Sequence, residues 1–414
     1  MVHDGASAAG EHKEWGSRPL EGVRVVELGH ALSGPFAATL LADFGAEVLK
    51  IEAPGKGDQM RLLGLRKDGI PLWWKVAARN KYSITLDFTT DEGRDLLLAL
   101  IEKSDIVVEN FRPGVLERHG LSWETLRERN RGIVMLRISG FGQVGTRAHE
   151  PGFGRIGEAM SGAMQLTGEN DGAPMHAGYS LVDTVTGLMG AFGVLVALTG
   201  RSRTGDGDCI DLALYEPLFR LIDWQVIMHD QLGVVPERAG NSFPATMQGA
   251  AAGVHRTTDG IWLSYSAGSD NALSRLAELL NGSQALRTGP FSTPEGRWSN
   301  YQQLQDAAGH WIASRTASEA LEQFRSAGCV ISPVYDMDAI SADVTVKERE
   351  NIVEVDDEEL GTVRMQGVVP RLTEHPGRVE RTGPALGADT ETVLARVLGM
   401  TEEAVAALRH KGVL

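Results

Sequence analysis

Cysteine is almost missing from this chain: Cys209 and Cys329 are its only two, far apart and in unrelated contexts. Neither a disulfide framework nor a cysteine-based zinc site can be drawn from them, and a reducing, cytoplasmic setting is expected. Basic residues are also in deficit, 40 against 55 acidic ones, for a formal charge of −15. With no Lys/Arg block to grip a phosphate backbone, nucleic acid is not an expected partner. None of the 11 histidines stands in H-x-x-x-H or H-E-x-x-H spacing, so no metal is expected. A P-loop and a G-x-S-x-G nucleophile elbow are lacking too. By elimination a carboxylate is the best available reactive group. The longest charge-free stretch, 184–200, is dotted with glycines and falls short of the roughly 18 to 20 apolar residues that cross a bilayer. It reads as a buried helix, and no membrane association is expected. The polar first 22 residues contain no apolar run of the secretory kind and read as a loose lead-in.

What the chain does have is apolar material for a full-sized core, 42% against 23% charged residues over 414 positions, which predicts two domains. The first two hundred residues alternate short apolar runs with helical periodicities, the pattern of a mostly parallel sheet with helices on its faces. VRVVEL (23–28), EVLKIE (47–52), YSITLD (82–87), DIVVENF (105–111), IVMLRIS (133–139) and CIDLALYE (209–216) read as strands. Helices are expected over 35–45, 92–104 and about 181–198, the second opened by a capping box of Thr89 and Glu92. From about residue 218 the texture changes to a Gly/Ala-rich loop, a hairpin turning at Asp259-Gly260 and three helical periods. The fold class is therefore α/β, with a large domain over 1–217, a smaller α+β domain over 218–345, and a segment over 346–414 that ends in two short helices.

The glycine pattern of a dinucleotide site, G-x-G-x-x-G, occurs as GFGQVG (140–145) after a strand and as GFGRIG (152–157) before a helix. Neither has strand and helix together, so both read as glycine-rich loops. Asp183 opens an otherwise apolar helix and has two readings. It is an N-cap, or it is a nucleophile beside backbone that Gly187 and Gly190 leave open to a bulky ligand, held ionised by the helix N-terminus. The run from Glu109 to Gly120 leaves the C-terminal end of a strand, the edge at which open α/β sheets bind ligands. Arg112 and Arg118 within it either hold a phosphate group or lie on a solvated face, with Arg118 paired to Glu117 or another acid.

Taken in order, these segments resemble the class III coenzyme A transferases, the group of formyl-CoA transferase, carnitine CoA-transferase and, as a divergent branch, 2-methylacyl-CoA racemase. The resemblance runs from PLEGVRVVELGHALSGPFAATLLADFGAEVLKIEAPGKGD through RNKYSITLDF and DIVVENFRPGVLERHGLSWETL. It continues with SGFGQVG, PGFGRIGEAMSGAMQLTG and VDTVTGLMGAFGVLVALTGRSRTGDGDCIDLALYE, and reaches the tail LGADTETVLARVLGMTEEAVAALRHKGV. It implies a Rossmann-like large domain completed by the C-terminal segment, a small domain, and two chains interlocked as linked rings in a homodimer. Carried over residue by residue, the nucleophile falls on Asp183. The coenzyme A contacts fall on Leu32, Ser33, Asn110, Phe111, Arg112 and Arg118, and the glycine loop over the active site on Gly240 and Asn241. No tightly bound cofactor is implied; the coenzyme A thioester is substrate.

Where formyl-CoA transferase has a glutamine in the first turn this chain has Leu32, and its loop reads GNSFP rather than a string of glycines. Both departures argue against formate or oxalate. The resemblance implies transfer from an acyl-CoA such as succinyl-CoA to a carboxylic, dicarboxylic acid through aspartyl anhydride and aspartyl-CoA thioester intermediates. Phe153, Phe243 and Trp224 would suit an acid with an apolar part and are equally core candidates. The rival reading, a racemase, needs an acid/base pair, yet Phe153 stands where that branch has its histidine, leaving only Glu158 or His149 as substitutes. A third reading makes the chain the active subunit of a heteromeric transferase.

Overall fold

Residues 18–242 and 250–414 are described by the computed structural model. They form two compact units: one of residues up to Gly157 with Ser180–Leu218 and Glu348–Leu414, the other of Glu158–Tyr179 and Phe219–Lys347. Residues 158–179, which the sequence reading leaves in the large domain, thus belong to the second unit. Phe243 and the rest of 243–249 lie outside the described residues, as do residues 1–17 of the N-terminal lead-in.

The first unit is built on six parallel strands, β1 (Arg24–Glu27), β2 (Glu47–Glu52), β3 (Lys81–Thr85), β4 (Ile106–Glu109), β5 (Val134–Ser139) and β6 (Cys209–Ala213). Their order in the sheet is β3-β2-β1-β4-β5-β6, that of the doubly wound nucleotide-binding fold. Chain direction across the sheet therefore reverses between β1 and β4, and the crevice beyond the carboxyl ends of those two strands is where such sheets receive ligands. The strands are apolar because both faces are covered. Helix α1 (Ser33–Asp43) and helix α3 (Leu181–Thr204) cover one. On the other, α2 (Asp91–Glu102) and the two C-terminal helices 390–398 and 402–410 close a core of Val26, Leu49, Ile84, Val107, Met135, Leu97, Leu394 and Val405.

Two local expectations are corrected. Thr90 rather than Thr89 caps α2, its backbone extended and its Oγ1 accepting from the Gly93 amide at 3.1 Å, while the Thr89 hydroxyl donates to Asp87 Oδ1. Helix α3 is longer than the charge-free stretch, its polar last turn running on to Gly205, and it is long and apolar enough to cross a membrane by length and composition. In this unit it lies along α1 and the sheet instead. Its buried side is one stripe, Val182, Thr186, Gly187, Gly190, Ala191 and Val194, whereas Leu188, Phe192 and Val196 are exposed. Helices on an α/β sheet bury one face only, so the reading of a fully buried helix holds for half of it.

The second unit carries an antiparallel sheet of β7 (Ala251–Arg256), β8 (Trp262–Ala267) and β9 (Val330–Pro333) in the order β9-β8-β7. The first two form the hairpin that Asp259-Gly260 predicts, with Gly260 at φ +87°. Leu263, Tyr265, Leu276, Leu304, Ile312 and Phe324 form its core. The first unit also contains a ribbon, β10 (Ile352–Asp357) with β11 (Gly361–Gln366), which the sequence reading does not foresee because its alternation is broken by acidic residues.

Candidate active site

Charged side chains inside the apolar strands prepare the site. Glu27 ends β1 and is fully buried, with Lys50 Nζ 2.9 Å from one carboxylate oxygen and Lys81 Nζ 2.7 Å from the other. Lys50 also meets Asp58 at 2.5 Å and donates to the carbonyl of Gly29, while Lys81 donates to the carbonyl of Pro35 at 2.7 Å. Burial alone would push the Lys50 ammonium down; Glu27, Asp58 and Glu52 outweigh it and raise it. Asp58 in turn accepts from the Ala31 amide at 2.9 Å, holding that residue at φ +58°. The turn between β1 and α1 is thus fixed at both ends. None of these residues is singled out by the sequence reading, although a charge in the middle of VRVVEL or EVLKIE was the signal available.

Leu32 and Ser33 close that turn, both buried, Leu32 against Met60 and Trp74. Asn110, beyond β4, spends its amide on the same turn: its Oδ1 accepts from the His30 amide at 2.7 Å and its Nδ2 donates to the His30 carbonyl at 2.8 Å and to Ser33 Oγ at 3.3 Å. The loops after β1 and β4, on either side of the switch point, are joined by this one side chain. Phe111 meets His30 edge-on at 5.2 Å between ring centroids. Arg112 and Arg118 are exposed and, among the described residues, in no ion pair; Glu117 is bound instead to Arg137 at 2.8 Å.

Asp183 is not an N-cap. Ser180 holds that position and Asp183 lies in the first turn of α3, half-buried, with no hydrogen bond or ion pair among the described residues. Burial pushes its carboxyl up to about 6, so the expected benefit of the helix N-terminus is outweighed. Gly187 and Gly190 do not open a path to a ligand either. A Cβ on Gly187 would lie 2.7 Å from the Ser33 carbonyl oxygen, and one on Gly190 would lie 2.8 Å from Leu136, so these glycines let α3 settle on α1 and the sheet. One helical turn therefore separates Asp183 from the residue that abuts Ser33. The space beside the carboxylate is set by GFGRIG: a Cβ on Gly154 would stand 2.3 Å from Asp183 Oδ2, and Gly152 packs its backbone on Gly140. Phe153, between them, is 73% exposed.

In the second unit Gly240, at φ +56°, donates its amide to the Gly168 carbonyl at 3.0 Å, and a Cβ there would meet Glu169 Oε2 at 2.7 Å. Asn241 lines a polar cavity of about 430 Å³ with Glu169, Ser242, His255 and Gln305. Glu158 is buried and bound to His176 Nδ1 at 2.9 Å and to the Ala177 amide at 2.8 Å, and His149 is exposed. Trp224 is half-buried. Among the described residues no group of three or more His, Cys, Asp or Glu side chains could hold a metal ion.

The first unit thus holds, among the described residues, a carboxylate without a hydrogen bond or ion pair in the first turn of α3 and two exposed arginines in the segment after β4. The family model of CoA-transferase family III matches residues 20–390, and the chain belongs to that family. The succinyl-CoA–D-citramalate CoA-transferase of Chloroflexus aurantiacus is 42% identical over 96% of this chain and 98% of its own length. The beta subunit of succinyl-CoA–L-malate CoA-transferase from the same organism is 38% identical over the same shares. Among solved structures, a CAIB/BAIF family protein from Brucella suis superposes with a TM-score of 0.79 at 29% identity, covering 92% of this chain and all of that one. The protein is a transferase of acyl-CoA metabolism whose substrates are an acyl-CoA and a carboxylic acid.

Two predictions follow from the bare carboxylate. Because Asp183 binds its proton more tightly folded than unfolded, stability falls as pH rises from about 4 to about 6 and stays lower above. Asp183→Asn, which has no charge to bury, should then be more stable than the wild type by about 1–3 kcal/mol at pH 8 and equal to it at pH 4. Chemical denaturation at both pH values checks this; parallel stabilities at the two would contradict it. Gly154→Ala should displace the carboxylate and lower kcat roughly 100-fold while leaving the melting temperature near that of the wild type, since a side chain and not backbone has to move. An unaltered kcat would separate Gly154 from the reaction.

Proposed function

We propose that the enzyme moves coenzyme A from succinyl-CoA to a dicarboxylic acid through a covalent relay on Asp183. The observation that carries the reading is that carboxylate: it sits where burial raises its basicity, no partner among the described residues occupies it, and a glycine backbone lies against it. A side chain used for capping or pairing would be bonded; this one is free for chemistry. The names of the two Chloroflexus relatives, with succinyl-CoA as donor and citramalate or malate as acceptor, support the choice of substrate class.

In the relay, a carboxylate oxygen of Asp183 attacks the thioester carbon, the C–S bond breaks, and a mixed anhydride and coenzyme A thiolate result. The thiolate attacks the aspartyl carbonyl, giving aspartyl-CoA thioester and releasing the donor acid as carboxylate. The acceptor carboxylate attacks that thioester, a second anhydride forms, and the thiolate attacks the acceptor's carbonyl, restoring Asp183. No proton is consumed, so no general acid is required, and only the ionised form of Asp183 reacts; transfer should fade as pH falls below about 6. Leu32, Ser33, Asn110 and Phe111 are proposed to shape the coenzyme A crevice, with Arg112 and Arg118 on its phosphates. Gly240 and Asn241 are proposed as substrate-loop residues on the strength of the family resemblance alone. The exposed face of α3, Leu188, Phe192 and Val196, supports a dimer with a second copy or a homologous subunit, and the two free thiols suit a cytoplasmic enzyme.

A racemase is disfavoured because Phe153 has no exchangeable proton and Glu158 is engaged by His176. Asp183→Ala should abolish transfer, by 10³-fold or more, and leave acyl-CoA binding within a few-fold of wild type. Residual turnover within about tenfold would remove Asp183 from the reaction. In deuterated water a 2-methylacyl-CoA should acquire no deuterium at its α-carbon while added dicarboxylic acids support exchange of coenzyme A; fast incorporation without any acid would favour the racemase.

A further inference from the structure

The geometry points to Arg137 as a positioning residue for coenzyme A: bound to Glu109 on one side and to Glu117 on the other, it fixes the segment 110–118 that carries Arg112 and Arg118. This rests on the proposed placement of coenzyme A along that segment.

Arg137 lies in β5, a strand buried along its whole length. Its Nε donates to Glu109 Oε1 at 2.7 Å and its Nη1 meets Glu117 Oε1 at 2.8 Å. Glu109, the last residue of β4 and almost fully buried, turns its other oxygen to the Phe111 amide at 2.7 Å. A continuous line of charge-assisted bonds thus runs from the middle of one strand to the backbone at 111 and to the short helix Val115–Arg118. Between those two anchors the chain has no regular structure and turns at Gly114 with φ +86°. Asn110 at its start, the Val115–Arg112 backbone bond and the buried Leu116 also hold it, and the two anchors add its ties to β5.

Stability does not account for these charges. A buried ion pair is worth no more than a well-packed apolar pair of the same size, and burial pushes Glu109 up to about 7 even with Arg137 beside it. What the charged trio supplies, and an apolar pair cannot, is direction. Arg137 also draws Glu117 toward the sheet, so the acid that follows Leu116 in sequence does not neutralise Arg118, its neighbour, and both exposed arginines keep their charge for a ligand.

Glu117→Ala tests the inference because two effects then act in opposite directions. Removing an acid from beside two arginines should, by charge alone, tighten binding of the polyanionic coenzyme A. Loss of the anchor should loosen it. We expect the dissociation constant for coenzyme A by calorimetry, and KM for succinyl-CoA, to rise about tenfold, with kcat and KM for the acceptor acid within about twofold of wild type. Glu117→Gln, which keeps an oxygen for Arg137 to bond, should recover most of that loss. Unchanged or tighter coenzyme A binding in Glu117→Ala would overturn the inference, and so would equal effects on both substrates. Arg118→Ala measured in parallel separates the two layers. If it weakens coenzyme A binding and Glu117→Ala does not, only the anchor is wrong; if neither does, the placement of coenzyme A falls as well.

Discussion

The site depends on a cluster of opposite charges sealed under it. Glu27 ends β1, Lys50 lies within β2 and Lys81 opens β3, at positions where apolar residues would satisfy the sheet equally well, and Asp58 joins them from the turn that follows β2. Desolvating four charges costs several kcal/mol each before their attraction is counted, so the cluster contributes little net stability. What it supplies is direction: lysine ammonium groups reach the carbonyls of Gly29 and Pro35, and Asp58 captures the amide of Ala31 in a left-handed conformation. The turn after β1 is held from below, and Asn110 holds it from the side. The two loops that flank the sheet's switch point therefore share one geometry.

Against this over-bonded frame, Asp183 is the exception. Its neighbours are excluded from bonding it by glycine: Gly154 brings bare backbone to the carboxylate, and Gly187 brings α3 close enough to α1 that the carboxylate and the turn lie about one helical turn apart. Protein interiors satisfy nearly every buried polar group, so a half-buried carboxylate with no partner among the described residues is costly to the fold, and the proposed relay gives that cost a use. The same burial that raises its proton affinity makes it a better nucleophile once ionised.

The parallel strands were legible in the sequence to within two residues, three at the end of β6, because strands covered on both faces read as unbroken apolar runs. The order of the strands was not, since it is decided by which crossovers share a face. Asp183 was visible as a lone charge ahead of an apolar helix, but that Ser180 holds the N-cap and that Asp183 has no partner among the described residues needed coordinates. The glycines of 152–157 read as a loop in the sequence because their constraint comes from distant residues, Asp183 against Gly154 and Leu214 against Gly157. The buried charges escaped notice for a different reason. Hydrophobic periodicity averages over a strand, and one Glu or Lys in a run of valines and leucines barely alters it.

The central claim, that Asp183 passes coenzyme A through anhydrides, is tested most directly by oxygen transfer. In the first half of the relay the bridging oxygen of the anhydride is Asp183's own and leaves with the donor acid; in the second half it comes from the acceptor, and when the thiolate attacks the acceptor's carbonyl that oxygen stays on the aspartate. With succinyl-CoA and an acceptor whose carboxylates carry heavy oxygen, peptide mass spectrometry after turnover in ordinary water should find heavy oxygen in the carboxyl of Asp183 and in no other acidic side chain. Full turnover with Asp183 unlabelled, or with the label on another residue, would contradict the account.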